Sequence, residues 1–370
     1  MSYFIRESNQ EDKNLIEKFN KELENHGFTF KLPIPDYKSI KTDEFIFENK
    51  FILTENEEKI RAGYTLKNQW FKINNEIRQI GYYYNPITAG LFNKKYNICG
   101  LMLLNDAEKK RSNLFCLGMG GYSEKLPQLL RKLNWKLETV PFYFKVCNPN
   151  AFLKNIEYLK NTKFKSFIIM IIKNSNLGWL FIKIFFLLLK ISIFPFRRTH
   201  NIIDEKIEVF DKEADDLWEN SKEHYSFIAV RNYEYLKKLY SNKKFIKLKF
   251  TKNNKVIGWS ISLCNKLQNH KQFGNMNLGS IIDCLSLNGY ETSVIKKTAE
   301  TLEKKGAYLI ISNQSHDYWK NALKMNSFIN GPSNFIFASS KELSEKLINN
   351  LKSKCFMHIT RGDGDGPINL

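Results

Sequence analysis

The stretch Lys59-Ile60-Arg61-Ala62-Gly63-Tyr64-Thr65-Leu66 has a second copy, Lys255-Val256-Ile257-Gly258-Trp259-Ser260-Ile261, shorter by one residue. Both fall in strand patterns, at residues 59–73 and 255–263. Further on, Lys132-Leu133-Asn134-Trp135 precedes Phe142-Tyr143-Phe144, just as Lys324-Met325-Asn326-Ser327-Phe328 precedes Phe335-Ile336-Phe337. The offset is about 193 residues at both points, and an ordered set of matches at one offset marks an internal repeat.

Working outward from these matches, each copy follows one order of elements. In the first, a strand at 3–5 leads through a Ser8/Asn9 cap into a helix over 11–26, where Leu15, Ile16, Phe19 and Leu23 keep helical spacing. Strands are predicted at 47–54, 59–73 and 77–84, then a helix over 98–109, a strand at 114–117, a helix over 124–133 and a strand at 141–146. In the second, a strand at 206–210 precedes helices over 213–223 and 233–240. Strands at 245–251 and 255–263 form a hairpin about Asn253-Asn254. A strand at 280–285, a helix over 291–305, a strand at 308–312, a helix over 317–325 and a strand at 334–338 complete it.

The chain of 370 residues suits two domains rather than one core. Its 43% hydrophobic content is enough for packed interiors. The net charge of +19 favours anionic partners such as coenzyme phosphates or an acidic membrane surface. Because that charge is dispersed rather than gathered in a block, a nucleic-acid partner is disfavoured. Six cysteines without a C-x-x-C pair indicate neither a zinc site nor a disulfide framework. The N-terminus carries no signal-peptide core, which leads us to expect a cytoplasmic protein.

The element order, β-α-(α)-β-β-β-α-β-α-β in each copy, resembles the GNAT N-acetyltransferase superfamily, and its duplication resembles the Fem-type transferases. The resemblance covers residues 1–150 and 204–340. It implies an α+β fold of two tandem GNAT-like domains that takes acetyl-CoA or another acyl-CoA as co-substrate, with no metal. GNAT enzymes carry R/Q-x-x-G-x-G/A where backbone N–H groups and a helix dipole hold the CoA pyrophosphate. Here that place reads Asn97-Ile98-Cys99-Gly100-Leu101-Met102: Gly100 matches, Asn97 replaces Arg/Gln, and Met102 replaces the final small residue. The second copy reads Leu287-Asn288-Gly289-Tyr290-Glu291-Thr292, without a match. Acyl-CoA is therefore expected on the first copy.

More closely, the chain resembles GNAT-like proteins of bacterial polysaccharide synthesis. The segments that carry this are Asn93 to Tyr96, Gly118 to Gly121, Val140 to Phe144, Ser312 to His316, Gly331 to Phe335 and Arg361 to Pro367. This implies an N- or O-acyltransferase acting on a glycan precursor. A Fem-type aminoacyltransferase, an inactive GNAT scaffold and a membrane-associated assembly factor are the alternatives.

Acyl transfer from a thioester needs an activated acceptor, an oxyanion donor and a proton for the thiolate. His316 and Asp283 are the candidate catalytic residues, one at a strand-to-helix turn and one within a strand. The plain alternatives are a solvated first-turn histidine and a paired structural carboxylate. Gly118, Gly120 and Gly121 suit close approach of backbone to a pantetheine arm, or simply a tight turn. One of Tyr82, Tyr83 and Tyr84 is a candidate proton donor. Asn313, Gln314, Ser315, Arg361, Asp363 and Asp365 are the candidate acceptor-binding residues. A calcium-loop reading of the Arg361 to Pro367 tail is disfavoured, because such a loop needs a further acidic ligand near its end. A glycine-supported loop folding back over the site is expected, with a disordered tail as the alternative. His316, Asp283 and this tail are expected in one cleft between the copies.

Between the copies, Leu177 to Phe196 is almost unbroken apolar sequence followed by Arg197-Arg198. Lys183 and Lys190, seven apart, share a helical face, which suits an interfacial helix better than a span; a helix buried between the domains is the other reading. The expected organisation is a GNAT-like domain at 1–150, an apolar insert at 151–203, a second GNAT-like domain at 204–345 and a C-terminal segment at 346–370. Contact with the inner membrane face would suit a lipid-linked glycan acceptor.

Overall fold

The computed structural model describes residues 2–35, 46–155, 178–270, 272–348 and 356–364. The chain forms two compact units, residues 1–139 with 336–352, and residues 140–335 with 353–370.

Unit 1 contains β1 (Tyr3–Glu7), α1 (Lys13–Asn25), β2 (Ile46–Glu55), β3 (Lys59–Ile73), β4 (Glu76–Thr88), α2 (Ile98–Lys110), β5 (Leu114–Gly118), α3 (Lys125–Lys132) and β6 (Lys136–Thr139). The expected cap is present: Asn9 accepts from the Glu11 N–H, and Asp12 accepts from the Asn9 N–H at 2.8 Å. The apolar stripe of α1, through Ile16, Phe19 and Leu23, packs with Leu103, Leu104 and Ala107 of α2 in a core that includes Leu53, Ala62 and Tyr64.

Unit 2 contains β7 (Phe142–Val146), α4 (Pro149–Asn155), α5 (Gly178–Ile193), β8 (Ile203–Ile207), α6 (Glu213–Ser221), β9 (Phe227–Ala229), α7 (Tyr233–Leu239), β10 (Ile246–Lys252), β11 (Lys255–Lys266), β12 (Asn277–Ser286), α8 (Glu291–Lys304), β13 (Leu309–Asn313), α9 (Asp317–Met325) and β14 (Ile329–Gly331). The chain then supplies β15 (Ile336–Ser339) and α10 (Lys341–Ile348) to unit 1, and β16 (Met357–His358) to unit 2.

The repeat is real in three dimensions. β3 lies between β2 and β4, and β11 lies between β10 and β12, all antiparallel. The shared glycines have one physical role. A Cβ on Gly63 would sit 2.8 Å from the Phe51 carbonyl oxygen, and one on Gly258 would sit 2.9 Å from that of Leu285. Neither central strand can carry a side chain where its neighbour's backbone comes so close.

One feature differs from the sequence expectation. The strands at 141–146 and 334–338 were each expected to stay within their own copy. Instead β15 lies between β5 and β6 of unit 1, and β7 lies between β13 and β14 of unit 2, antiparallel on both sides. The compact units therefore do not follow a simple 1–150 and 204–345 division. Pro141 sits between β6 and β7, and Pro332 between β14 and β15. A proline holds its predecessor extended and lacks an N–H, which suits a chain leaving one sheet for another.

Candidate functional site

In both units a parallel strand pair begins bonded and then parts. In unit 1, β4 and β5 pair only at Gly81 with Leu114 and Tyr82 with Phe115, although β4 continues to Thr88 and β5 to Gly118. In unit 2, β12 and β13 pair from Leu278 with Leu309 to Ile281 with Ser312, and β12 continues to Ser286. Openings at the carboxyl ends of parallel strands are where α/β-type sheets take ligands.

The unit 1 opening is flanked by both segments expected to hold acyl-CoA. After β4, a short turn over Lys94–Tyr96 leads into α2. Tyr96 is buried, its hydroxyl donates to Glu55 at 3.2 Å, and Arg61 stacks 4.5 Å from its ring while donating to Glu55 at 2.8 Å. The Arg61 bond, ahead of the smaller effects of Tyr96 and Lys95, lowers the Glu55 pKa. This polar knot fixes where α2 begins.

Asn97 and Ile98 are exposed and Cys99 is buried. Gly100 is half-buried, and a Cβ there would meet only Thr88 Cγ2 at 3.9 Å. Met102 packs against the unit 1 core, as Leu103 and Leu104 do, so its side chain is turned toward the interior.

After β5, Gly118, Met119, Gly120 and Gly121 hold φ of +94°, +61°, +77° and +124°. For Met119 that left-handed conformation costs about 1 kcal/mol. The N–H groups of Met119, Gly120 and Gly121 have no acceptor among the described residues, so a bound molecule can supply one. Of the three tyrosines, Tyr82 and Tyr83 are buried, and burial drives the Tyr83 phenol well above its usual pKa. Tyr84 is half-buried on the stretch where β4 has left β5.

The unit 2 opening is filled by the chain itself. Ser315 Oγ donates to the Met357 carbonyl at 2.6 Å and accepts from the Ile359 N–H at 2.7 Å. Gln314 bridges to Thr360, and β16 pairs parallel with β9. Beneath this segment lies a closed ion cluster of Arg231, Asp283 and Asp363, all with fully buried side chains. Arg231 Nε is 2.7 Å from Asp283, and its Nη2 donates to Asp363 at 2.5 Å. Asp283 also accepts from the Tyr240 hydroxyl at 2.6 Å and the Cys284 N–H at 2.9 Å. Burial alone would raise the Asp283 pKa; Arg231, then His358 and Tyr240, lower it overall. The arginine is in turn held well above its ordinary value by the two aspartates against its own desolvation.

Four expectations need correcting here. Asp283 and Asp363 meet through Arg231, and His316 lies against His358, which is 3.7 Å from Asp283, but all of these belong to unit 2 and not to a cleft between the copies. Asp283 is the counter-ion of a buried arginine with both oxygens engaged, the paired structural carboxylate of the two readings rather than a tuned base. His316 is 1% exposed, in a box of Tyr225, Tyr318, Phe356 and His358. Desolvation first, then the nearby His358, lowers its pKa to about 3, too weak a base for neutral pH. Ser315 and Gln314 hold the tail, Asn313 Nδ2 donates to the Pro141 carbonyl at 3.4 Å, and Arg361 stacks 5.7 Å from Phe335, so none of them lines an open acceptor site. Asp365 lies outside the described residues.

The knot of Arg61, Glu55 and Tyr96 and the partners Arg231, Tyr240 and His358 escaped the sequence reading, because nothing local distinguishes them. Among the described residues no group of His, Cys, Asp and Glu is arranged to hold a metal.

No protein-family model matches the sequence, and no curated protein matches it. Its fold does match solved structures. A conserved Enterococcus faecalis V583 protein, a probable N-acyltransferase, superposes with a TM-score of 0.53 at 9% identity, covering 94% of this chain and 74% of that one. Saccharomyces cerevisiae N-myristoyltransferase with bound myristoyl-CoA gives 0.52 at 10% identity over 92% and 82%. The glucosamine N-acetyltransferase region of a fungal multi-domain β-N-acetylglucosaminidase gives 0.50 at 10% identity over 91% and 38%. The likeness is one of architecture: the chain has a GNAT-like fold of two mixed sheets flanked by helices.

Proposed function

We propose that the protein is an acyl-CoA-dependent acyltransferase that binds its acyl donor at the unit 1 opening. The observation that carries this is the contrast between two equivalent places. The unit 2 opening is occupied by the chain's own residues 356–364, whereas at that of unit 1 the N–H groups of Met119 to Gly121, beside the start of α2, have no acceptor among the described residues. The pyrophosphate would lie at the α2 N-terminus, where the helix dipole and the exposed Lys94 and Lys95 favour anions. The pantetheine arm would run into the opening toward the Gly118–Gly121 turn. An acceptor amine or hydroxyl then attacks the thioester carbonyl, and the departing thiolate takes up a proton. For the acceptor we take a glycan precursor, the reading to which the sequence resemblance points; the fungal region above is named for glucosamine.

Gly100 separates steric from electrostatic effects. Because a Cβ there has room, Gly100→Ala is expected to bind acetyl-CoA as the wild type does. Gly100→Glu, which sets a carboxylate at the same helix start, should weaken binding at least tenfold, about 1.4 kcal/mol or more. Isothermal titration of both variants checks this. Equal affinity for the two, or no binding of acetyl-CoA or a long-chain acyl-CoA by the wild type, would remove the proposed donor site.

A further inference from the structure

We propose that α5, with the turn Phe194–Phe196 that follows it, is a docking surface for an anionic lipid bilayer, lying in the headgroup plane rather than crossing it. The sequence reading left membrane contact and a buried helix both open. On the helix the half-buried side chains are Ile182, Phe186, Leu189 and Ile193, spaced four, three and four apart. This narrow stripe is the face turned to unit 2. Ile182 and Phe186 pack there on a cluster that includes Val146, Leu267, Met276, Leu278 and Leu309.

Across from the stripe the helix remains apolar and exposed: Phe181 at 68%, Leu188 at 60%, Ile191 at 61% and Phe194 at 79%. Leu180, Ile184, Phe185 and Leu187 continue that face. Monomeric soluble proteins seldom leave so large a contiguous apolar patch open to water.

Charge identifies the occupant. Lys183 and Lys190 are exposed and one heptad apart, so they lie along one border of the apolar face. Arg198, exposed, follows its end, and the whole chain carries +19. A second copy of this helix would bring the same lysines together, whereas anionic headgroups neutralise them while acyl chains cover the leucines and phenylalanines. Trp179, stacked under Lys183 at 5.9 Å, provides the amphipathic ring that favours the interfacial depth. A helix docked along one stripe against its own domain lies on a membrane; it does not span it.

The test uses the full-length protein in vesicle sedimentation, with phosphatidylcholine alone and with about one-third phosphatidylglycerol. The wild type is expected in the pellet with the anionic vesicles, at least tenfold more than with neutral ones, and to be released by alkaline carbonate. The double variant Phe181→Asp/Leu188→Asp changes only exposed positions, so it should fold normally and stay in the supernatant. Lys183→Glu/Lys190→Glu should lose the preference for anionic vesicles. Wild type that stays in the supernatant with both vesicles overturns the proposal, as does resistance to carbonate extraction, which would indicate a span. A dimer in size-exclusion chromatography that Leu188→Asp dissociates would assign the face to a second copy instead.

Discussion

Replacing Arg231 with methionine is expected to lower the melting temperature of unit 2 by roughly 6–20 °C. The change removes the one cation between Asp283 and Asp363, neither of which reaches water. Breaking a buried ion pair from one side costs about 3–5 kcal/mol, because the remaining charge is desolvated without a partner. In a unit of this size each kcal/mol shifts the midpoint by about 2–4 °C. Differential scanning calorimetry gives the value. The compensating variant Arg231→Met/Asp283→Asn/Asp363→Asn should recover a large part of the loss, since it leaves no uncompensated charge. An Arg231→Met protein that melts like the wild type would show that the cluster does not hold unit 2 together.

Gly362→Val should have an effect of similar size through sterics alone. A Cβ at Gly362 would stand 2.3 Å from the Tyr240 hydroxyl oxygen and 3.0 Å from Asp283 Cβ. Either Tyr240 swings away and abandons its 2.6 Å bond to Asp283, or residues 356–364 lift out of the opening. Overpacking alone costs about 1–3 kcal/mol, and a buried carboxylate losing its donor adds a comparable amount. Trypsin should then cut after Arg361 in the variant much faster than in the wild type. Acetyl-CoA affinity should not change, because the proposed donor site belongs to unit 1. Unaltered proteolysis would mean that the tail is not held by this packing.

Acid should loosen the same region in two stages. His316 is neutral when folded, with its pKa lowered to about 3 against 6.5 for a free imidazole, so the unfolded chain binds the extra proton first. Its contribution to stability is therefore present at neutral pH and is lost progressively as pH falls from about 6.5 toward 3. Asp283 has a lowered folded-state pKa, so its contribution is present above the ordinary carboxylate value near 3.9 and is lost below it. His316→Phe should flatten the upper part of the melting-temperature profile, between about pH 6 and 4, and leave turnover at neutral pH in place. A large loss of turnover with normal folding would restore His316 as a catalytic residue.

Much of the architecture is written in local sequence. Periodicity placed α1, α2, α8 and α9 within about two residues, since an amphipathic helix needs only its own spacing to be visible. The paired copies around Gly63 and Gly258 revealed the repeat, because a central strand crowded by neighbouring backbone excludes a side chain in both. The start of α2 and the Gly118–Gly121 turn were legible as backbone features for the same reason: glycines and helix starts mark what the main chain must do. The exchange of β7 and β15 was not legible, because a short apolar strand reads alike whichever sheet it joins, and the partners are far apart in sequence, Phe142 with Asn313 and Ile336 with Gly118. The fate of His316, Asp283 and Asp363 was equally hidden. Residue type shows that a group can titrate; whether it faces solvent or a buried arginine depends on long-range packing. By itself the sequence determined two GNAT-like copies and an apolar helix between them. Only the tertiary structure decided which copy's opening is filled by the C-terminal segment, because that rests on contacts such as Ser315 with Ile359 and Arg231 with Asp363, which no local pattern encodes.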